Sequence, residues 1–317
     1  MSSNLAHLLS SESHTSHPSR LDFYDIKDTF LAPGYWVAYS AKALDEGLED
    51  KNLCFPSKDL AGYAAAIGFS RLLWGEDNYQ AHRVNEGKNY STLTLLDQPQ
   101  ATDRATEHIN SCVRLLITDE EHQVFVSSLC DVIGDLHDNV WSHGQSTGVS
   151  MAQKWRNGRN GYFLEFALAD CGLGFKRELT RVGMEFANDR EAIEWCIQEG
   201  NSTKKRNTQD DFAQRLPGDV IGNPIPGVGV PVANDNHHMG LGLAKLVDLV
   251  KRYHGELWLA SGTDMLIIAS NGLQRYEKIE FPWNGVAIAC RFCTTRIQPL
   301  LIEEDPDIAN LMQLLRS

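Results

Sequence analysis

The chain lacks several things that would define it early. No apolar run approaches the length of a membrane-spanning helix, so a bilayer-embedded protein is not expected. The first residues carry no apolar signal region; Ser and His dominate Ser10 to Ser19, and a cytoplasmic protein is the expectation. Positive charge is scarce: 29 Lys and Arg face 42 Asp and Glu, for a formal net charge of −13. Phosphate backbones need clustered cations, so neither nucleic acid nor a membrane is an expected partner. The 7 cysteines are odd in number and scattered through apolar segments, which reads as reduced core thiols rather than a disulfide framework. Cys290-Arg291-Phe292-Cys293 has C-x-x-C spacing, but it lies in a strand-like run without a second pair, which argues against zinc.

With 317 residues and 42% hydrophobic content, the chain can build a real core and two domains of ordinary size. Alternating strand-like and helix-like segments point to an α+β protein. The pattern divides it into a disordered tail over 1–19, a small α/β domain over 20–101, a linking helix over 102–117, a larger domain over 118–297, and a C-terminal tail with one short helix over 298–317. In the small domain, strands are expected at Leu21–Ile26, Leu53–Phe55 and Tyr90–Leu96. Helices are expected over Gly34–Leu48 and from a Ser57 cap through Leu72.

Three segments of the larger domain carry chemistry. Thr118-Asp119-Glu120-Glu121 reads as a capping box that opens an amphipathic helix. On that helix Asp135, Asn139 and His143 recur at i, i+4 and i+8, so they share a face. An amide oxygen there is a hard ligand suited to Mg²⁺, and a carboxylate one turn earlier can orient or deprotonate water or a hydroxyl. Next comes a hairpin, Val149–Trp155 and Tyr162–Ala169 joined through Asn157-Gly158-Arg159-Asn160-Gly161. Its second strand ends in Asp170-Cys171-Gly172-Leu173-Gly174, where an acid meets glycines that let the backbone approach a flat ligand. Finally Met239-Gly240-Leu241-Gly242-Leu243 feeds a helix whose free N–H groups and dipole suit phosphate. Strands follow at Glu256–Ser261, Met265–Ala269 and Gly285–Phe292.

The order of these segments resembles the GHKL superfamily of gyrase-type topoisomerases, heat-shock chaperones, histidine kinases and mismatch-repair ATPases, over roughly residues 118–293. The helix over 119–143 looks like the family's N box, Asp170–Gly174 like its G1 box and Gly240–Leu243 like its G2 box. The resemblance implies a Bergerat-type α/β sandwich that binds ATP and Mg²⁺. Asn139 would hold the metal, with His143 closing the box. Asp170 would accept a hydrogen bond from the adenine amino group, and Gly172 and Gly174 would shape the pocket. Gly240, Leu241, Gly242 and Leu243 would cradle the phosphates. The segment over 175–239, poor in periodicity and carrying Lys204, Lys205 and Arg206, would be the lid. The strand–helix alternation over Leu21–Trp74 is faintly similar to STAS-type modules, which implies protein contact.

Two positions depart from the family pattern. Asp135 stands where Glu is usual, and Gly285-Val286 stands where a Gly-Thr pair is usual, so a hydroxyl beside Asp170 is missing. The resemblance therefore implies ATP-dependent lid closure that switches a protein partner or the N-terminal region, with slow hydrolysis in which Asp135 positions water. Two alternatives stand beside it: an anti-sigma-type serine/threonine kinase in which Asp135 activates the acceptor hydroxyl, and a non-catalytic nucleotide sensor. Homodimerisation is left open. A histidine kinase does not fit, because His122, the nearest candidate, lacks the usual flanks.

Overall fold

The computed structural model describes residues 4–10, 30–48, 55–97, 99–140, 146–158, 161–201 and 242–297. Their helices are α1 (Leu5–Leu9), α2 (Pro33–Asp45), α3 (Lys58–Ala66), α4 (Phe69–Trp74), α5 (Pro99–Leu116), α6 (Gln123–Asn139), α7 (Gly174–Arg181), α8 (Asp189–Cys196) and α9 (Gly242–Arg252). The strands are β1 (Thr94–Leu96), β2 (Gly148–Arg156), β3 (Tyr162–Asp170), β4 (Glu256–Ile268) and β5 (Gln274–Cys293). They form one sheet in the order β1-β2-β3-β5-β4, and every neighbouring pair is antiparallel. The chain is thus α+β. Among the described residues, no helix is long and apolar enough to cross a membrane.

Residue size decides how the sheet is covered. Successive side chains of a strand face opposite sides. On β3, Leu164, Phe166 and Leu168 point to one core, with α5, α6 and α9. Ala167 and Ala169 point to the other, with α1 and α2. The same alternation runs along β5, where Ile288, Cys290 and Phe292 oppose Ala287 and Ala289. Small residues on the second face let a helix lie close. A Cβ placed on Gly34 of α2 would stand only 2.7 Å from Ala289 Cβ.

Helix α2 begins at Pro33 with no side-chain cap of its own. Its free amide is satisfied from the sheet: Gly34 N–H donates to Glu165 Oε1 at 2.8 Å. Glu165 is fully buried, and Arg291 Nε donates to its other oxygen at 2.8 Å. The guanidinium in turn lies over the rings of Trp155, Phe163 and Trp258. An anion at a helix start, neutralised by a cation packed on aromatic faces, fixes α2 on β3.

Several expectations change here. The N-terminal tail is not floppy over residues 4–10: α1 docks with Leu5, Leu8 and Leu9 buried. Among the described residues, 30–97 build no sheet of their own. Their one strand, β1, joins β2, and their helices cover the second face of the common sheet. The described part of this region therefore packs as a helical layer on the common sheet. The expected strand at Leu21–Ile26 and most of Leu53–Phe55 lie outside the described residues. Ser57 does cap α3, accepting from Leu60 N at 3.1 Å, but Gly68 at φ +77° breaks the expected long helix into α3 and α4. The linking helix is α5, and it is part of the core, with Ala105, Ile109, Val113 and Leu116 buried. Thr118–Glu121 does not cap an α-helix: a 3-10 turn over Glu120–His122 precedes α6, and His122 at its start makes no side-chain cap bond. The two strands expected over 256–269 are one, because Ser261–Thr263 passes as a bulge in β4 rather than a turn.

Candidate functional site

Helix α6 presents Asp135 and Asn139 one turn apart near its C-terminal end, as their spacing requires. Asp135 is 4% exposed. Its carboxylate meets Lys245 of α9, Nζ to Oδ2 at 2.8 Å. The start of α9 lies directly against these residues: a Cβ on Gly242 would stand 2.8 Å from Asp135 Cβ and 3.6 Å from Asn139 Nδ2. Glycine is required there for packing, whatever else it does. Leu243 turns its side chain toward the large core, leaving its backbone in the first turn of α9.

Asp170 ends β3 and is 4% exposed. Its Oδ1 accepts from Gly172 N–H at 2.8 Å and lies 3.4 Å from the Ser146 hydroxyl. The Val286 backbone N–H also reaches the carboxylate. Burial nevertheless dominates and raises the Asp170 pKa to about 6, against the lowering effect of these donors. Ser146, from another segment, and the amide of Val286 thus both serve this carboxylate.

Gly285, at φ +91°, lets the β5 backbone run against this acid: a Cβ there would fall 2.3 Å from Asp170 O and 2.6 Å from Gly172 N. Gly174, at φ +70°, faces Ser261 Oγ and Gly285 O in the same way. Ser261 ties the loop down, donating to Gly285 O at 2.8 Å and accepting from Phe175 N–H at 3.1 Å. Arg177 closes the loop from outside, donating to Leu173 O at 2.7 Å and Gly172 O at 3.1 Å. Cys171 packs toward the N-terminal helices, and burial pushes its thiol up, away from reactivity.

Val140 joins the two clusters. It follows Asn139, and its Cγ1 would stand 2.9 Å from a Cβ on Gly148. Gly148 pairs with Asp170 across β2 and β3. The end of α6, the start of α9 and the end of β3 therefore converge. His143, Gly240 and Leu241 lie outside the described residues, as do Lys204, Lys205 and Arg206. The first part of the expected lid is helical: α7 and α8 pack on each other and on β4, with Asp189 accepting from Thr263 N–H at 2.9 Å. An open cleft of about 450 Å³ lies elsewhere, between α4, β1 and α5, and none of the motif residues lines it.

Trp283 of β5 also donates its indole N–H to Asp170 O. Sequence reasoning missed Lys245, Ser146, Ser261 and Trp283. Lys245 was readable, standing three residues after Gly242 on the same helix. The others act across long sequence separations and left no local signal. No protein-family model, curated protein or solved structure matches this chain.

Proposed function

We propose that the chain is a GHKL-type nucleotide-binding protein with a Bergerat-type site for Mg-ATP, in which nucleotide binding switches a protein partner or the N-terminal helices. The observation that carries this reading is the placement of Gly242 against Asp135 and Asn139, joined through Val140 and Gly148 to Asp170.

The residues fit the groups they would hold. Asp170 is a buried acceptor braced by three donors, suited to an exocyclic amino group at the edge of a purine. Gly174 and Gly285 let the loop after β3 and the β5 backbone close tightly around this acid, which fixes its carboxylate for a ligand. The first turn of α9 offers free amides and the positive end of a helix dipole to phosphates. The Asn139 amide oxygen is a hard donor of the kind Mg²⁺ takes alongside phosphate and water. Bound Mg-ATP would supply the phosphoryl group and its charge.

The alternatives to ATPase action are transfer to a protein hydroxyl and sensing without turnover. The Asp135–Lys245 ion pair favours slow or absent turnover, because the Asp135 oxygen that would position water already accepts from the ammonium at 2.8 Å. γ-Labelled ATP discriminates the outcomes. Slow release of free phosphate, or saturable binding without release, fits this reading. Label on a partner protein would replace it with a kinase. Absence of any bound label would end it.

A further inference from the structure

We propose that Lys245 is the cation that reads the terminal phosphate of the bound nucleotide, and that Asp135 is its positioning residue rather than a general base. The inference rests on the nucleotide-site reading above and goes beyond it by assigning the ATP-over-ADP preference to one side chain.

The geometry makes the argument. Lys245 sits in the first turns of α9, three residues after Gly242. Helical side chains lean toward the N-terminus of their own helix, so its stem lies over the turn where phosphates would sit. Its side chain is 47% exposed, whereas the Asp135 side chain is 5% exposed. The pair is thus asymmetric: a buried, fixed acceptor holds one end of a cation whose remainder faces solvent. An ammonium has three donors, and the bond to Asp135 Oδ2 at 2.8 Å uses one of them. The others remain available for a phosphate oxygen without the pair breaking.

Exchange of Lys245 away from Asp135 would instead take a charged partner from a buried carboxylate, which is unfavourable. Holding the lysine and offering its free donors avoids that cost. A free lysine would lose rotamer freedom on meeting phosphate, and Asp135 has already restricted it. Aspartate in place of the longer glutamate also suits this role. The closeness of α9 to α6, set by Gly242, leaves the lysine to span the remaining gap.

The test is calorimetric titration of the full chain with Mg-ATP and with Mg-ADP, for the native protein, Lys245→Met, Lys245→Arg, Asp135→Asn and Asp170→Asn. Lys245→Met is expected to weaken ATP by roughly tenfold or more, the loss of one charged hydrogen bond, and ADP by much less. Lys245→Arg is expected to restore most of the ATP preference, and Asp135→Asn to leave it reduced but present. If Lys245→Met unfolds the protein by baring Asp135, the neutral pair Asp135→Asn with Lys245→Met serves in its place. An unchanged ATP-to-ADP ratio on loss of the lysine, in a native protein that binds both and an Asp170→Asn variant that binds neither, overturns this inference and leaves the site reading standing. Binding of neither nucleotide by the native protein overturns both.

Discussion

Trp283 donates its indole N–H to the main-chain carbonyl of Asp170 at 2.9 Å. The indole is buried among residues of the second face, where α1 and α2 pack. One hydrogen bond from β5 therefore ties a ring packed in the second-face core to the acid at the centre of the candidate site. Trp283→Phe keeps a ring in that core but removes the donor. It is expected to cost about 1–3 kcal/mol of stability, as a buried carbonyl loses its partner, and to weaken nucleotide binding. Urea unfolding and titration with nucleotide check both. Loss of stability with unaltered binding would show that the bond does not hold Asp170 in place.

Glu165 anchors α2 to the sheet. Glu165→Ala removes the acceptor of Gly34 N–H and leaves Arg291 only the longer contact to Glu256 at 3.8 Å, so a loss of roughly 3–5 kcal/mol is expected. Glu165→Gln keeps one carbonyl oxygen and should lose clearly less. Denaturant midpoints at constant m-value measure the difference. Equal and small effects from both would contradict the account of why α2 lies where it does.

His137 makes stability depend on pH. Its ring lies between Thr106 Oγ1 and Ser150 Oγ, each at 2.8 Å, and burial lowers its pKa from 6.5 to about 3. Below pH 6.5 the unfolded chain takes up a proton that the folded one refuses, so stability falls as pH drops from 6.5 toward 3. The cost is about 2 kcal/mol at pH 5. Asp170 works in the opposite sense. Its pKa is raised from 3.8 to about 6, so it favours the folded state below 3.8, and that contribution is lost as pH rises through 6. Replacing His137 with Gln keeps polar partners and removes the titration. The acid-side slope of melting temperature should flatten in that variant, and an unchanged slope would show that His137 is not its source.

The motif segments were legible because each depends on local spacing. Asp135 and Asn139 share a face by helical period, and the β2–β3 hairpin follows from alternation around Asn157-Gly158. Where the N-terminal half packs was not legible, for a physical reason. Its helices are apolar on faces that suit a separate small core equally well, and only the Ala-lined side of β3 and β5 shows where they belong. Ala167, Ala169, Ala287 and Ala289 were readable as small residues, but their meaning lies in Gly34, which comes more than a hundred residues earlier. Ser146 and Ser261 are ordinary serines until the bend before β2 and the strand β4 that carry them are brought beside Asp170.

Gly242→Ala tests the convergence without touching a polar group. Its Cβ would meet Asp135 Cβ at 2.8 Å, so α9 must shift from α6. Overpacking of this kind costs about 1–3 kcal/mol, and nucleotide affinity should fall with it. Gly272→Ala, where a Cβ meets nothing within 4 Å, is the control for glycine loss alone, since its φ of +81° brings backbone strain without a clash. Equal nucleotide affinity in the two variants would remove the site from the α6–α9 contact.

The most direct measurement is equilibrium binding of Mg-ATP to the native chain and to Asp170→Asn at pH 7.5, where the carboxylate is ionised in the native protein. The amide is nearly isosteric but offers a weaker acceptor and brings donors that would face the purine amino group. The account predicts saturable binding by the native chain and its loss in the variant, with the melting temperature of the variant showing that it is folded. Native affinity in a folded Asp170→Asn protein would contradict the claim that this acid reads the base.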